Sequence, residues 1–171
     1  RARSRMPVKP TELAAAIAER TNQIVAGDGR EPNSEMGPLV TEAHLEKVRS
    51  YVDAGEAEGA TVVVDGRLAA VSGQPGFWLG PTLFDRVEPE MSIYTDEIFG
   101  PCCHIRPFDS EEEVIQLAND TPYGLAATVW TSDLRRAHRV AARLDVGLCW
   151  VNSWFLRDLR TPFGGSKQSG I

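Results

Sequence analysis

The sequence predicts an α/β fold built on a largely parallel sheet with flanking helices. Three observations predict it. Over residues 102–151, short apolar runs alternate with amphipathic segments in the order strand, helix, strand, helix, strand. Such alternation requires crossover connections, which are right-handed and generate parallel neighbours. The 171 residues contain no internal repeat, low-complexity tract or evident linker, and this length suits one domain with its own core.

Taken in order, TELAAAIAERTNQIVAG (11–27) reads as a helix. Leu13, Ile17 and Ile24 share a face, Thr11 is placed to cap the start and Gly27 to stop it. A loop rich in Asp, Gly, Pro and Asn follows. A second helix begins at Thr41, with Leu45, Val48 and Val52 at i, i+3 and i+7. TVVV (61–64) reads as a strand ended by the Asp65-Gly66 turn. FWLGPTLF reads as a strand interrupted by Gly80 and Pro81, and EPEMSIYTDEIFGP as loop with a short helical or extended piece. CCHIRPF is strand-like. SEEEVIQLANDT is a helix with a capping box from Ser110 to Glu113 and an apolar face of Val114, Leu117 and Ala118. LAATVW (125–130) is a strand. SDLRRAHRVAARLD is a helix capped by Ser132, with Leu134, Ala137, Ala141 and Leu144 on one face, and LCWV (148–151) is the last strand.

Composition narrows the function classes. Hydrophobic residues make up 42% and charged residues 25%, an ordinary globular balance. With 18 basic and 24 acidic residues the net charge is −6, which argues against nonspecific binding to nucleic acid or to an anionic membrane. No apolar run is long enough to span a bilayer, and RARSRMPVKP lacks the apolar stretch of a secretion signal. Three cysteines, two of them adjacent, are not a disulfide framework, so a reducing cytoplasm is the expected compartment.

In open parallel sheets, ligands bind beyond the carboxyl ends of the strands. The last strand runs into NSWFLRDLRTPFGG, which sets Arg157 and Arg160 among Trp154, Phe155 and Phe163. A guanidinium pairs with a carboxylate through two hydrogen bonds, and aromatic walls strengthen that pairing and stack on flat ligands. A planar organic acid suits such a pocket. The competing reading is a solvated arginine, with Arg157 paired to the adjacent Asp158 or to another subunit. Elsewhere, Cys102 and His104 share one side of a strand, but two ligands do not make a zinc site, so no metal is expected. Cys102, Cys103 and Cys149 read as buried structural cysteines, and His44 and His138 as solvated helix residues. GxGxxG, P-loop, HExxH and nucleophile-elbow patterns are all missing.

EMGPLVTEAHLEKV, EIFGP, NDTPYGLAATVWT and TPFGGSKQSGI, in this order and spacing, resemble the catalytic domain of the aldehyde dehydrogenase superfamily from about residue 5 onward. IFGPCCHIRPFDSEEEV and CWVNSWFLRDLRTPFGG are most similar to its muconic semialdehyde branch. The resemblance implies a three-layer, largely parallel sheet, incomplete in this chain. It also implies NAD-dependent oxidation of a semialdehyde from aromatic-ring cleavage to a dicarboxylate. In that chemistry a cysteine thiolate adds to the aldehyde, an oxyanion hole stabilises the alkoxide, hydride passes to nicotinamide, and a glutamate-activated water cleaves the thioester. By motif, Glu97 resembles the residue that bonds the nicotinamide ribose, and Phe99 the aromatic beside the nicotinamide. Phe163 resembles a wall of the aldehyde tunnel, and Asn152 matches a family asparagine near the active site with a structural role; Asn152 and Trp154 stand with Arg157 and Phe163 as candidate substrate-binding residues. Arg157 resembles the arginine that grips the substrate carboxylate, while no role carries over to Arg160.

The resemblance also sets expectations about what is missing. None of the three cysteines matches the nucleophile position. The nucleophile is expected a few residues before Arg1, with the glutamate base and the cofactor-binding domain earlier still. The chain is expected to stop at Ile171 short of a strand used in oligomerisation. Residues 1–171 therefore read as a single partial catalytic domain, inactive alone and prone to self-association. A reading of a different class is a noncatalytic module that binds a small dicarboxylate or a partner subunit.

Overall fold

The computed structural model describes residues 10–68 and 75–170. Nearly all of the basic N-terminal stretch, and Ile171, lie outside the described residues. The chain divides into two compact units, one running up to Pro107 and one from Phe108 onward.

In the first unit, α1 (Pro10–Asn22) ends five residues before Gly27. The reason is competition for the backbone. Glu35 N–H donates to the Val25 carbonyl at 2.9 Å and Gly27 N–H to the Met36 carbonyl at 2.9 Å, so residues 25–27 pair with 35–36 instead of continuing the helix. Arg20, in the last turn, pairs with Glu35 and secures that junction. Helix α2 (Glu42–Ala57) starts where expected, because Thr41 Oγ1 accepts the His44 N–H at 3.1 Å. Its Val48 and Val52 are fully buried. They supply one wall of the unit's apolar interior, where Val52 joins Ala60, Phe84, Val87, Met91 and Ile93.

Strands β1 (Thr61–Val64), β2 (Thr82–Asp85) and β3 (Cys102–His104) form one sheet in that order. β1 and β2 are antiparallel. β2 and β3 are parallel, with Leu83 opposite Cys103. Helix α3 (Ser92–Thr95) is the piece between β2 and β3 that the sequence leaves open as helical or extended, and the Glu58 carboxylate accepts from its first backbone N–H, that of Ser92, at 2.8 Å.

In the second unit, α4 (Glu111–Asn119) is capped by Ser110, whose hydroxyl accepts the Glu113 N–H at 3.1 Å. Glu113 reaches back to the backbone N–H of Asp109 at 2.7 Å, one residue beyond a strict capping box. Ile115, not Val114 or Ala118, is the buried centre of its apolar face. Strands β4 (Tyr123–Gly124) and β7 (Ser166–Lys167) pair antiparallel. β5 (Ala126–Val129), α5 (Leu134–Ala141) and β6 (Leu148–Val151) form a parallel strand–helix–strand crossover. Asp133 rather than Ser132 caps α5, because its carboxylate accepts the Arg136 N–H at 3.1 Å. Ala137 and Val140 are buried there, whereas Leu134, in the first turn, is exposed. The expected succession of three parallel strands thus divides: β3 pairs with β2, and β5 pairs with β6.

Arg67, in the one-turn 3-10 helix after β1, joins the end of α2 to the sheet. Its guanidinium meets Asp53 at 2.5 Å, Glu56 at 2.7 Å and Asp65 at 2.8 Å. The Arg67 hydrogen bond holds the Asp65 carboxyl below its ordinary value, against the opposing effect of burial. A carboxyl whose folded pKa is depressed contributes stability above its unfolded value of about 4 and loses it as pH falls through the folded value. Urea unfolding followed from pH 6 down to pH 2 is expected to show a smaller acid-induced loss of stability in Arg67→Ala than in the wild type. Equal losses in the two proteins would remove this assignment.

Candidate active site

The candidate residues fall in both units. Glu97 and Phe99 belong to the first, and Asn152, Trp154, Arg157 and Phe163 to the second.

In the first unit, the segment 96–100 links α3 to β3. Its far end is tied into the sheet by the Thr82 N–H, which donates to the Pro101 carbonyl at 2.8 Å. Phe99 has φ 57°, a left-handed backbone that bulky residues rarely adopt, and the residue is 73% exposed. Glu97 is exposed and has no hydrogen-bond or ion-pair partner among the described residues. A groove of about 280 Å³ is lined by Ile93, Glu97, Phe99, Cys103 and His104, among others. His44, expected to be solvated, is instead half-buried on α2, with Nε2 2.8 Å from the Phe99 carbonyl and its ring 6.0 Å from the Phe99 ring. Nothing in the local pattern around His44 marks this contact, because its partner lies 55 residues away in sequence.

In the second unit, the parallel pairing of β5 and β6 brings their carboxyl ends to the same side. Asn152 joins the loops that leave them. Its side-chain carbonyl accepts the Thr131 N–H at 2.9 Å, and its side-chain amide donates to the Thr131 carbonyl at 2.9 Å. The Asn152 N–H continues the ladder to Val129 at 2.9 Å. Its φ of 51° is one that asparagine tolerates better than most residues. These bonds give Asn152 a loop-shaping role. Thr128 Oγ1 adds a bond to the Ser153 carbonyl at 2.9 Å.

Beyond Asn152 the aromatics cluster. Trp150 is buried on β6, and its indole N–H donates to the Leu156 carbonyl at 2.9 Å. Trp154 packs edge-on against Trp150, with centroids 5.3 Å apart, and Phe155 closes the group at 6.2 Å from Trp154. The Arg157 guanidinium lies 4.3 Å from the centre of the Phe163 ring and 5.8 Å from that of Phe155. Phe163 reaches this position because the returning chain approaches Gly147 so closely that a Cβ there would lie 1.8 Å from the Gly164 carbonyl oxygen. Asp158 pairs with Arg160, not with Arg157: Arg160 Nε lies 2.9 and 3.1 Å from the two carboxylate oxygens, and the Arg160 N–H donates at 3.0 Å. These bonds hold the Asp158 carboxyl below its usual range. Arg157 is left with aromatic contacts and no carboxylate partner among the described residues. A cavity of about 630 Å³ is lined by Leu148, Trp150, Leu156, Arg157, Leu159 and Phe163, together with Asp158 and Thr161.

Cys102 and Cys103 line the groove of the first unit, and Cys149 lies on β6 of the second. Burial pushes the Cys102 thiol up to about 11, and desolvation also raises Cys103 and Cys149. Cys103 is exposed at the surface, not buried as expected. None is a poised thiolate. Among the described residues no group of three His, Cys, Asp or Glu side chains is arranged to hold a metal ion, and no helix is long and apolar enough to cross a membrane.

Comparison with known proteins agrees with this architecture. The profile of the aldehyde dehydrogenase family matches residues 9–171. The chain is 51% identical over 162 residues to 2-hydroxymuconic semialdehyde dehydrogenase of Pseudomonas sp. (strain CF600), covering 94% of this chain and 33% of that protein. It is 47% identical over 156 residues to betaine aldehyde dehydrogenase of Mesorhizobium japonicum, covering 91% of this chain and 32% of that protein. Among solved structures, the NAD+ complex of aldehyde dehydrogenase from Bacillus cereus superposes with a TM-score of 0.88 at 43% identity, over 94% of this chain and 32% of that one. The chain spans about a third of the length of these relatives. With the profile matched across nearly all of its residues, this chain belongs to the aldehyde dehydrogenase family.

Proposed function

We propose that this chain supplies the acid-binding wall and a nicotinamide-facing edge of an NAD-dependent dehydrogenase. The enzyme would oxidise a muconic semialdehyde-type substrate to the dicarboxylate during aromatic-compound breakdown, in a reducing cytoplasm. The single observation that carries the reading is Arg157. Its guanidinium rests on Phe163 at 4.3 Å while Arg160 occupies Asp158, so the cavity presents an uncompensated planar cation on an aromatic wall. A flat conjugated carboxylate matches both features. Similarity to a betaine aldehyde dehydrogenase raises the opposite choice, a quaternary ammonium substrate. Aromatic faces alone would suit such a cation, but here Arg157 already covers Phe163 and would repel it.

The residues fit a nicotinamide cofactor. Glu97 offers an unpartnered carboxylate, which can accept from a vicinal diol, and the exposed Phe99 offers a ring beside a groove of about 280 Å³. When bound, NAD supplies the hydride acceptor. Glu97 would orient the ribose, and Phe99 would shield one face of the nicotinamide. Arg157 would anchor the remote carboxylate, with Phe163 beside it in the cavity lining, while Trp154 packs behind it on Trp150 and does not line that cavity. Covalent addition to the aldehyde needs a thiolate, and the raised Cys102, Cys103 and Cys149 do not supply one. In this reading residues 1–171, which span about a third of the length of the relatives, contribute part of a catalytic domain and not its nucleophile.

Calorimetry on residues 1–171 with 2-hydroxymuconate tests the acid site. Arg157→Ala is expected to weaken binding by about tenfold or more, the scale of a lost charge-assisted hydrogen bond. Glu97→Ala is expected to leave that affinity unchanged, and choline is expected not to compete. Equal affinity of Arg157→Ala and wild type would sink the acid-pocket reading. The purified chain is also expected to form no NADH from a muconic semialdehyde, and measurable turnover would refute the assignment of its cysteines. Finally, Trp154, Leu156 and Leu159 are 64%, 76% and 95% exposed. An apolar patch of this kind promotes association. Light scattering is therefore expected to give a mass above that of one chain, and a monodisperse monomer would count against it.

A further inference from the structure

Helix α2 carries His44, Val48 and Tyr51 at i, i+4 and i+7, which places them along one helix face. All three meet the segment 96–100. Tyr51 Oη donates to Asp96 Oδ2 at 3.0 Å. Val48, fully buried, abuts Gly100 so closely that a Cβ at Gly100 would lie 2.5 Å from Val48 Cγ1. His44 Nε2 lies 2.8 Å from the Phe99 carbonyl and, since a carbonyl only accepts, carries the proton. The imidazole also lies against the Phe99 ring, 6.0 Å between centroids at 37°. Phe99 is the one residue of this segment with positive φ, at 57°. A bulky side chain keeps such a backbone only where its surroundings over-determine it. Tyr51 and Val48 pin the segment on either side of Glu97 and Phe99, and the His44 bond falls on the strained residue itself.

We propose that His44 is a positioning residue: it clips the Phe99 carbonyl to α2, holds the left-handed turn, and thereby sets how Glu97 and Phe99 face the nicotinamide ribose. The cofactor half of this inference rests on the function proposed above, while the clip itself does not. Neutral imidazole protonated on Nε2 and imidazolium both donate to the carbonyl, so the clip needs a donor at this reach rather than a charge. Glutamine keeps an N–H donor on a side chain of similar length, and alanine removes it.

The test uses residues 1–171 and the variants His44→Ala and His44→Gln, leaving Val48 and Tyr51 in place so that α2 keeps its packing. The conformational readout is the intraresidue HN–Hα cross-peak of Phe99 in NMR spectra, which is strong when φ is positive. It is expected to be strong in wild type and His44→Gln and weak in His44→Ala. Retention of the strong cross-peak in His44→Ala would overturn the clip, as would its loss in both variants. The second readout is NAD+ affinity, read in the whole dehydrogenase of which the function proposed above makes these residues a part. About a fivefold loss is expected in His44→Ala, the scale of one hydrogen bond, with His44→Gln within about twofold of wild type. Loss of the cross-peak in His44→Ala with unaltered NAD+ affinity would overturn the cofactor role of Glu97 and Phe99 while upholding the clip, so the two ideas fail separately.

Discussion

The parallel pairing of β5 with β6 is the constraint on which the candidate acid pocket depends. Parallel strands joined by α5 must end on the same side, so the loops leaving Val129 and Val151 emerge together. Asn152 converts that proximity into a fixed geometry by bonding both the N–H and the carbonyl of Thr131. In effect it extends the sheet by one side-chain pairing. The following residues are thereby turned away from the strand direction, and Trp150 takes the Leu156 carbonyl to close the turn. The aromatic cluster and Arg157 inherit their positions from these few bonds.

Charge partition within that loop decides its chemistry. Two arginines flank one aspartate, and only one of them can be paired by it. Asp158 accepts from both the side chain and the backbone of Arg160, a local ring of bonds closed by residues two apart. Pairing of Asp158 with Arg157 would have neutralised the cation beside Phe163. Instead the exposed Arg160 carries the pairing, and Arg157 retains its charge over an aromatic face. Low-polarity walls of this kind strengthen what a free guanidinium does to a carboxylate.

The first unit solves a different problem, that of keeping a strained segment in place. Helix α2 is anchored inward by Val48 and Val52, and the face that buries Val48 also holds Asp96, Phe99 and Gly100. One helix thus serves the apolar interior and the edge that carries Glu97. A packing change at Val48 would be felt at Gly100 directly, since there is no room between them. The glycine of the Phe-Gly-Pro turn is required by this close approach rather than by its own backbone angles.

Much of this was legible in the residues alone. Period and capping signals located α2, α4, α5, β1, β5 and β6, because these depend on neighbours within a turn or two. The Pro-Phe-Gly-Gly and Glu-Ile-Phe-Gly-Pro segments carried the family resemblance, and the carboxyl-end rule directed attention to the loop containing Arg157. Local signals failed where a distant residue competes for a backbone group. Residues 25–27 leave α1 because residues 35–36 take their hydrogen bonds. β3 joins β2 rather than β5, because pairing partners are chosen by the whole unit. The sequence by itself determined the α/β elements, the family and the residue types available for an acid site. Tertiary structure alone decided that β3 pairs with β2 rather than with β5, and that His44 reaches across 55 residues to Phe99. Those outcomes turn on hydrogen-bond geometry in three dimensions, which no spacing along the chain encodes.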